Sequence, residues 1–515
     1  MESKENRETN IALRFIAKSS FIVFIGIILS KVLTYAYRIV VARYFGPEVY
    51  GLLALALMVV GWFGAFSSLG LPQGLLRFIP LYRGQKEDKK INFIYRISLG
   101  IVFLTGLISA IIVYTLSDAI SIYLFKNASL SIFLKIFSIM LPLSLISNVF
   151  LSVLQAFEEV GWFSFINNIL QNTLKVLSLL IFIFLGFNSK GVALSYLVSV
   201  LGIMIFTFII IRKKIPILSN KLKLGNKKKI LIDFFSYSWP AMFSGMIASV
   251  FFWIDTFFIG FFLTVGDVGI YNAAIPIAML LTFAPQMFLQ LFLPLITREY
   301  GEKNLDVIKA LSKQVNKWIA MINIPLFFLT LVFPGVIINF LFGSDYLSGT
   351  LALQILSAGM LVYSFSSISN NLISMTGRSK VIMTTLIFTG ILNAILNFLF
   401  IPRFGINGAA FSTSLSYICL AVIYTYNAHK YTSIIPIRRK VLNILISAII
   451  PLIVLITISS MSKPSLPLLV LSGILFSLIY LILIFKTKAL DEQDKMILLL
   501  IASKLRNPLS KKKIN

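Results

Sequence analysis

FIVFIGIILSKVLTYAYRIVVA, from Phe21 to Ala42, is a run of 22 residues in which Lys31 and Arg38 are the only charged side chains. As an α-helix it would be about 33 Å long, enough to cross the roughly 30 Å of hydrocarbon in a bilayer. The run is too long for a signal-peptide core. It also leads into a motif-bearing loop with no small-residue cleavage pattern, so it reads as a membrane helix. What holds for this stretch holds for the chain: 58% of its 515 residues are hydrophobic and 13% are charged. The mean hydropathy is +0.93. Such a composition cannot cover a water-facing surface, and the expectation is an all-α polytopic membrane protein.

Apolar windows place about fourteen spans near 19–42, 50–72, 93–115, 131–156, 162–186, 191–211, 234–262, 269–297, 314–337, 350–375, 380–401, 406–428, 441–460 and 466–486. The net charge of +27 would suggest a nucleic-acid partner in a soluble protein, but here its distribution decides its meaning. On the side holding both termini lie 37 of the 46 Lys and Arg residues, against 5 on the other side and 4 inside spans. That bias predicts cytoplasmic termini in a cell membrane, and basic loops resting on anionic lipids with no role for nucleic acid. A single cysteine, Cys419, and a single histidine, His429, exclude an internal disulfide and a Cys- or His-rich metal site. No catalytic constellation or cofactor motif is visible, and the chain reads as a non-enzyme.

The chain repeats itself. Phe187-Asn188-Ser189-Lys190-Gly191-Val192-Ala193-Leu194-Ser195 and Phe404-Gly405-Ile406-Asn407-Gly408-Ala409-Ala410-Phe411-Ser412 share F-x-x-x-G-x-A-x-S at an offset of 217. A second pair, beginning at Gly46 and Gly266, recurs at about 221. Six helices per unit is an even number, so the copies should run in the same direction across the membrane. The expected organisation is a lobe at 1–211, a basic linker at 212–233, a second lobe at 234–428, two further helices within 441–486 and a basic tail at 487–515.

Ala42-Arg43-Tyr44-Phe45-Gly46-Pro47-Glu48-Val49-Tyr50-Gly51 follows the first helix, and Leu69-Gly70-Leu71-Pro72-Gln73-Gly74-Leu75-Leu76-Arg77-Phe78 closes the second. With Trp253-Ile254-Asp255-Thr256-Phe257-Phe258-Ile259-Gly260 and Gly405-Ile406-Asn407-Gly408-Ala409-Ala410, these resemble the polysaccharide-biosynthesis flippases of the multidrug/oligosaccharidyl-lipid/polysaccharide exporter superfamily. The resemblance implies two six-helix lobes around a central cavity and alternating access. The implied cargo is a polyprenyl-diphosphate-linked oligosaccharide, moved from the cytoplasmic to the outer leaflet for surface polysaccharide synthesis.

A charge near the bilayer midplane costs at least about 2.5–3.5 kcal/mol, so each one must face protein, water or substrate. Lys31 and Arg38 share one face of the first helix, and Lys175 lies midway along the fifth. These three are the expected partners of a diphosphate headgroup, since Lys and Arg offer charge-assisted hydrogen bonds to phosphate oxygens. Arg77 and Arg298 occupy corresponding ends of the second and eighth helices, where anchoring at the interface is the competing reading. Asp255 is the acid that falls well inside a span, and it admits two roles: a salt bridge to Arg38, or coupling to a proton or sodium ion. Asn168 and Asn172 beside Lys175, and Asn393 with Asn397 on one face of the eleventh helix, are expected to line the cavity or to join helices.

Rival readings are a cation-coupled drug exporter, which would need more buried carboxylates than Asp255, and a membrane-embedded ligase. The adjacent acids Glu87-Asp88 and Glu158-Glu159 lack the partners that ligase chemistry needs. A scaffold that works with polysaccharide assembly proteins also stays open.

Overall fold

A computed structural model describes residues 4–218, 227–436, 440–461 and 465–487, with side chains from residue 28 onward apart from 217, 290 and 291. The middle of the basic linker (219–226) and the basic tail from residue 488 lie outside the described residues. Every regular element among the described residues is helical. The first eight long elements are α1 (Lys4–Ser67), α2 (Leu71–Gly84), α3 (Asp88–Ala119), α4 (Ser129–Ala156), α5 (Val160–Ser164), α6 (Gln171–Phe184), α7 (Lys190–Lys214) and α8 (Lys227–Phe262). They are followed by α9 (Val265–Ala278), α10 (Phe283–Gly301), α11 (Leu305–Val332), α12 (Pro334–Leu341), α13 (Thr350–Met375), α14 (Ser379–Thr432), α15 (Lys440–Met461) and α16 (Leu466–Lys486).

Among the described residues, twelve helical stretches are long and apolar enough to cross a membrane. Two of them hold a pair of spans each. Gly46, at φ 79°, breaks α1, and Gly405, at φ 60°, breaks the 54-residue α14. Positive φ combined with ψ of −179° at Gly46 and −142° at Gly405 is a conformation that glycine alone adopts readily, and Pro47 directly after Gly46 starts the next helix without losing a hydrogen bond it needs. Counting both halves of each gives the fourteen passes expected from hydropathy.

The chain forms two compact units, Met1–Ala273 with Asn397–Ile406 and Ala274–Leu396 with Asn407–Asn515. Lipid tails are as apolar as leucine, so within each unit close van der Waals fit has to hold the helices together. In the first unit Leu75, Ile79, Ile94, Val149 and Phe234 build a core from α2, α3, α4 and α8. The tightest contact in that unit joins the repeated glycine motifs: a Cβ on Gly51 would stand 1.9 Å from the Val265 carbonyl oxygen. Reciprocally, a Cβ on Gly269 would stand 1.9 Å from the Pro47 carbonyl oxygen. In the second unit Ile296, Ile319, Ile368 and Leu420 form one core, and α15 and α16 pack on α11 through Ile324, Ile444, Ala448 and Phe476.

Candidate functional site

Lys175 projects from α6 into a packed tyrosine cage, with 8% of its surface exposed. Its Nζ lies 4.5 Å from the centre of the Tyr196 ring and 5.6 Å from that of Tyr37. It donates one hydrogen bond, to Asn172 Oδ1 at 3.3 Å. The tyrosines are themselves fixed, because Tyr37 shares a 2.8 Å hydrogen bond with Ser195 of the F-x-x-x-G-x-A-x-S motif. Arg38, on α1, donates to Tyr50 Oη at 3.5 Å and lies near enough to Lys175 for their like charges to interact. Neither cation forms an ion pair among the described residues. Two positive groups are therefore held inside one helix cluster by aromatic faces and neutral oxygens.

Asp255 on α8 is 7% exposed and accepts from Tyr271 Oη at 2.7 Å and from Asn397 Nδ2 at 2.8 Å. Both donors point at the carboxylate and tie α8 to α9 and to α14. Because Arg38 makes no ion pair among the described residues, the Arg38–Asp255 bridge considered from sequence is not made in this structure. The repeat reappears as a chemical inversion: Tyr50 and Tyr271, 221 residues apart, each reach an ionisable group on the preceding helix. That group is a cation in the first copy and an acid in the second.

Between α5 and α6, Phe165–Leu170 forms a π-helical turn. One inserted residue rotates everything beyond it by about 100°. This turn splits the asparagine-rich segment. Asn172 Nδ2 donates to Ser30 Oγ at 3.0 Å and its Oδ1 accepts from Thr34 Oγ1 at 3.2 Å, so it joins α6 to α1. Asn168 donates to Ser164 Oγ at 3.1 Å. Asn167 lines a cavity of about 550 Å³ between α1, α2, α4, α5 and α8, together with Gln73, Ser144, Asn148 and Ser152. Among the described residues, no charged side chain lines that cavity.

The other expected residues fall in different surroundings. Lys31 is exposed. Arg77 is also exposed and stacks over Tyr237 at 4.3 Å. Arg298 bonds Glu299 at 2.8 Å and sits 3.7 Å from Glu302; its guanidinium, with Asn304, holds the Glu299 carboxyl below the usual range. Asn393 donates to Thr413 Oγ1 at 3.1 Å inside the second unit, a helix-to-helix contact. Lys317, which sequence reasoning did not single out, is fully buried on α11. Its neighbours Gln314, Asn316 and Ile319 gave the signal, since hydropathy rises through them while the polar residues stay inside.

The family described as "Polysaccharide biosynthesis protein" matches residues 16–299, and a second family, MatE, matches 240–399. An uncharacterized membrane protein of Methanocaldococcus jannaschii is 27% identical over 447 residues, covering 83% of this chain and 86% of that protein. A putative O-antigen transporter of Shigella flexneri is 23% identical, covering 74% of this chain and 90% of its own. Among solved structures, the inward closed conformation of the lipid II flippase MurJ superposes with a TM-score of 0.70 at 19% identity. It covers 90% of this chain and 99% of that one.

Proposed function

We propose that this chain, which belongs to the polysaccharide biosynthesis protein family, is a flippase for a lipid-linked oligosaccharide. It is a multi-pass membrane protein. In this reading the cargo's polyprenyl diphosphate meets Arg38 and Lys175, with Lys31 at the edge of the same helix, and the saccharide crosses from the cytoplasmic to the outer leaflet. The observation that carries the reading is the buried Lys175 with the half-buried Arg38 near it, neither with a carboxylate partner among the described residues. A diphosphate supplies the missing counter-charge, and Lys and Arg replace part of its hydration through charge-assisted hydrogen bonds. The similarity to a putative O-antigen transporter supports the same class of cargo.

The halves of the chain act as two lobes that open alternately to the two sides of the membrane. Asp255, held by Tyr271 and Asn397, takes up the proton or sodium ion that drives the cycle. Both termini face the cytoplasm, and the basic loops rest on anionic lipid headgroups beside polysaccharide assembly proteins. The family's other members with known roles act as carriers in this reading, and the chain performs no covalent chemistry. A cation-coupled exporter is the second reading, favoured by the MatE match around Asp255.

Purified protein in vesicles carrying a fluorescent prenyl-diphosphate oligosaccharide tests the assignment. Arg38→Gln and Lys175→Gln should each slow flipping. Full transport by both variants would overturn the role given to these cations. For Asp255→Asn, transport that keeps its response to an imposed ion gradient would remove the coupling role.

A further inference from the structure

On α4, Ser144, Ile146, Ser147, Asn148 and Ser152 stand in the order S-x-I-S-N-x-x-x-S. On α13, Ser366, Ile368, Ser369, Asn370 and Ser374 repeat it at a constant offset of 222. Each copy meets a cavity in its own unit. Ser144, Asn148 and Ser152 line the 550 Å³ cavity of the first unit, while Ser366 and Asn370 line one of about 130 Å³ in the second. Residues four apart share a helix face, so the same serine and asparagine of each copy point the same way.

The hydrogen bonding also repeats. Ser144 Oγ donates to the Leu141 carbonyl at 2.8 Å, and Ser366 Oγ donates to the Tyr363 carbonyl at 2.7 Å. With its proton committed to the backbone three residues earlier, each serine turns acceptor lone pairs outward. The asparagines complete the pattern. Among the described residues the Asn148 amide makes no hydrogen bond, and Asn370 Oδ1 is buried without a partner. Asparagine in a membrane ordinarily joins helices, and neither of these does so. Each cavity adds a second amide, Gln73 in the first and Gln286 in the second. Aromatic faces border both, Phe163 in one and Tyr363 with Tyr424 in the other.

No charged residue lines either cavity among the described residues, so phosphate would find no counter-charge from them. Neutral amides that donate and accept, hydroxyl lone pairs and aromatic rings fit the hydroxyl-bearing edges and apolar faces of sugar rings. We propose that the duplicated motif forms two saccharide subsites, one in each unit, in which Asn148 and Asn370 bind hydroxyls of the neutral sugars of the cargo. The proposal rests on the flippase reading and deepens it: the cations hold the diphosphate, and the two serine–asparagine faces hold the glycan.

The test uses the full-length protein in nanodiscs, with a bare prenyl diphosphate and a panel of the same lipid bearing neutral mono- to trisaccharides. Wild type should bind at least one glycosylated lipid more tightly than the bare one. Asn148→Ala and Asn370→Ala should each cut that preference by roughly tenfold while leaving affinity for the bare lipid unchanged. Since neither side chain bonds the rest of the protein among the described residues, both variants should fold as wild type does. No preference in wild type, an unchanged preference in both variants, or equal weakening toward the bare lipid would overturn the subsites. Flipping measured in parallel separates the two ideas. A chain that flips glycosylated lipid while the variants keep their preference remains a flippase without these subsites. A chain that does not flip, yet shows an asparagine-dependent preference for sugars, keeps the subsites and loses the flippase reading.

Discussion

Lys175→Met removes a buried charge without removing the methylene stem that packs between Tyr37 and Tyr196. Taking an ammonium out of water costs several kcal/mol. Against that, the two rings return about 0.5–2 kcal/mol each, and the charged hydrogen bond to Asn172 about 1.5–3 kcal/mol. The terms nearly cancel in the substrate-free protein, and Asn172 Oδ1 keeps Thr34 as a donor when the lysine is gone. Methionine should therefore leave stability unchanged or raise it by about 1–2 kcal/mol. Binding should move the other way. Loss of one charge-assisted contact to a diphosphate, at about 1.5–3 kcal/mol, weakens affinity by roughly 10–150-fold. Thermal unfolding followed by tryptophan fluorescence, with titration of prenyl diphosphate on the same preparation, reads both quantities. A variant that loses about 3 kcal/mol or more of stability but binds diphosphate as wild type does would mean that Lys175 serves the fold and not the cargo.

Asn370→Ala removes a buried acceptor that has no partner among the described residues, so it should leave stability unchanged or raise it by up to about 1 kcal/mol. A loss of more than that would show a contact that the present structure lacks. Asn397→Ala takes a donor from Asp255 and should cost about 1.5–3 kcal/mol in the same unfolding assay. Gly51→Ala places a Cβ against the Val265 carbonyl, so a loss of about 1–3 kcal/mol or more is expected, and wild-type stability would contradict the helix contact. Glu299, whose carboxyl is held low by Arg298 and Asn304, stabilises the folded protein fully above the ordinary glutamate range near 4.3. That contribution fades as pH falls through the lowered value, so Glu299→Gln should show a smaller loss of melting temperature than wild type on acidification from pH 5 to 3.

Hydropathy made the fourteen passes legible because a bilayer leaves a chain few choices: every backbone group must bond internally, and helices do that locally. The kinks at Gly46 and Gly405 were visible only as motif residues, since the need for a left-handed φ comes from where the next helix must go. Charge inside a span drew attention to Arg38, Lys175 and Asp255, which are buried or partly buried in the structure, yet it said nothing of the tyrosines that hold them. Tyr37, Tyr50, Tyr196 and Tyr271 look like ordinary membrane aromatics in a sequence. The π-helical turn at Phe165–Leu170 was illegible for a related reason. A regular 3.6-residue period gives no sign of it, and only the structure shows Asn167 lining a cavity while Asn172 bonds α1. Lys317 escaped notice because a window average cannot tell a lysine that snorkels from the end of a span from an enclosed one. The S-x-I-S-N duplication was present in the sequence throughout, but only the cavities beside it give it chemical meaning.

On the proposed reading, this chain alone carries a lipid-linked saccharide across a bilayer. Reconstituted as the sole protein in vesicles with a fluorescent prenyl-diphosphate oligosaccharide in the inner leaflet, it should bring the label within reach of an external quencher faster than protein-free vesicles do. The acceleration should fall away with Arg38→Gln and Lys175→Gln. Label that stays protected for wild type as long as it does in empty vesicles, across the panel of glycosylated lipids, would contradict the account.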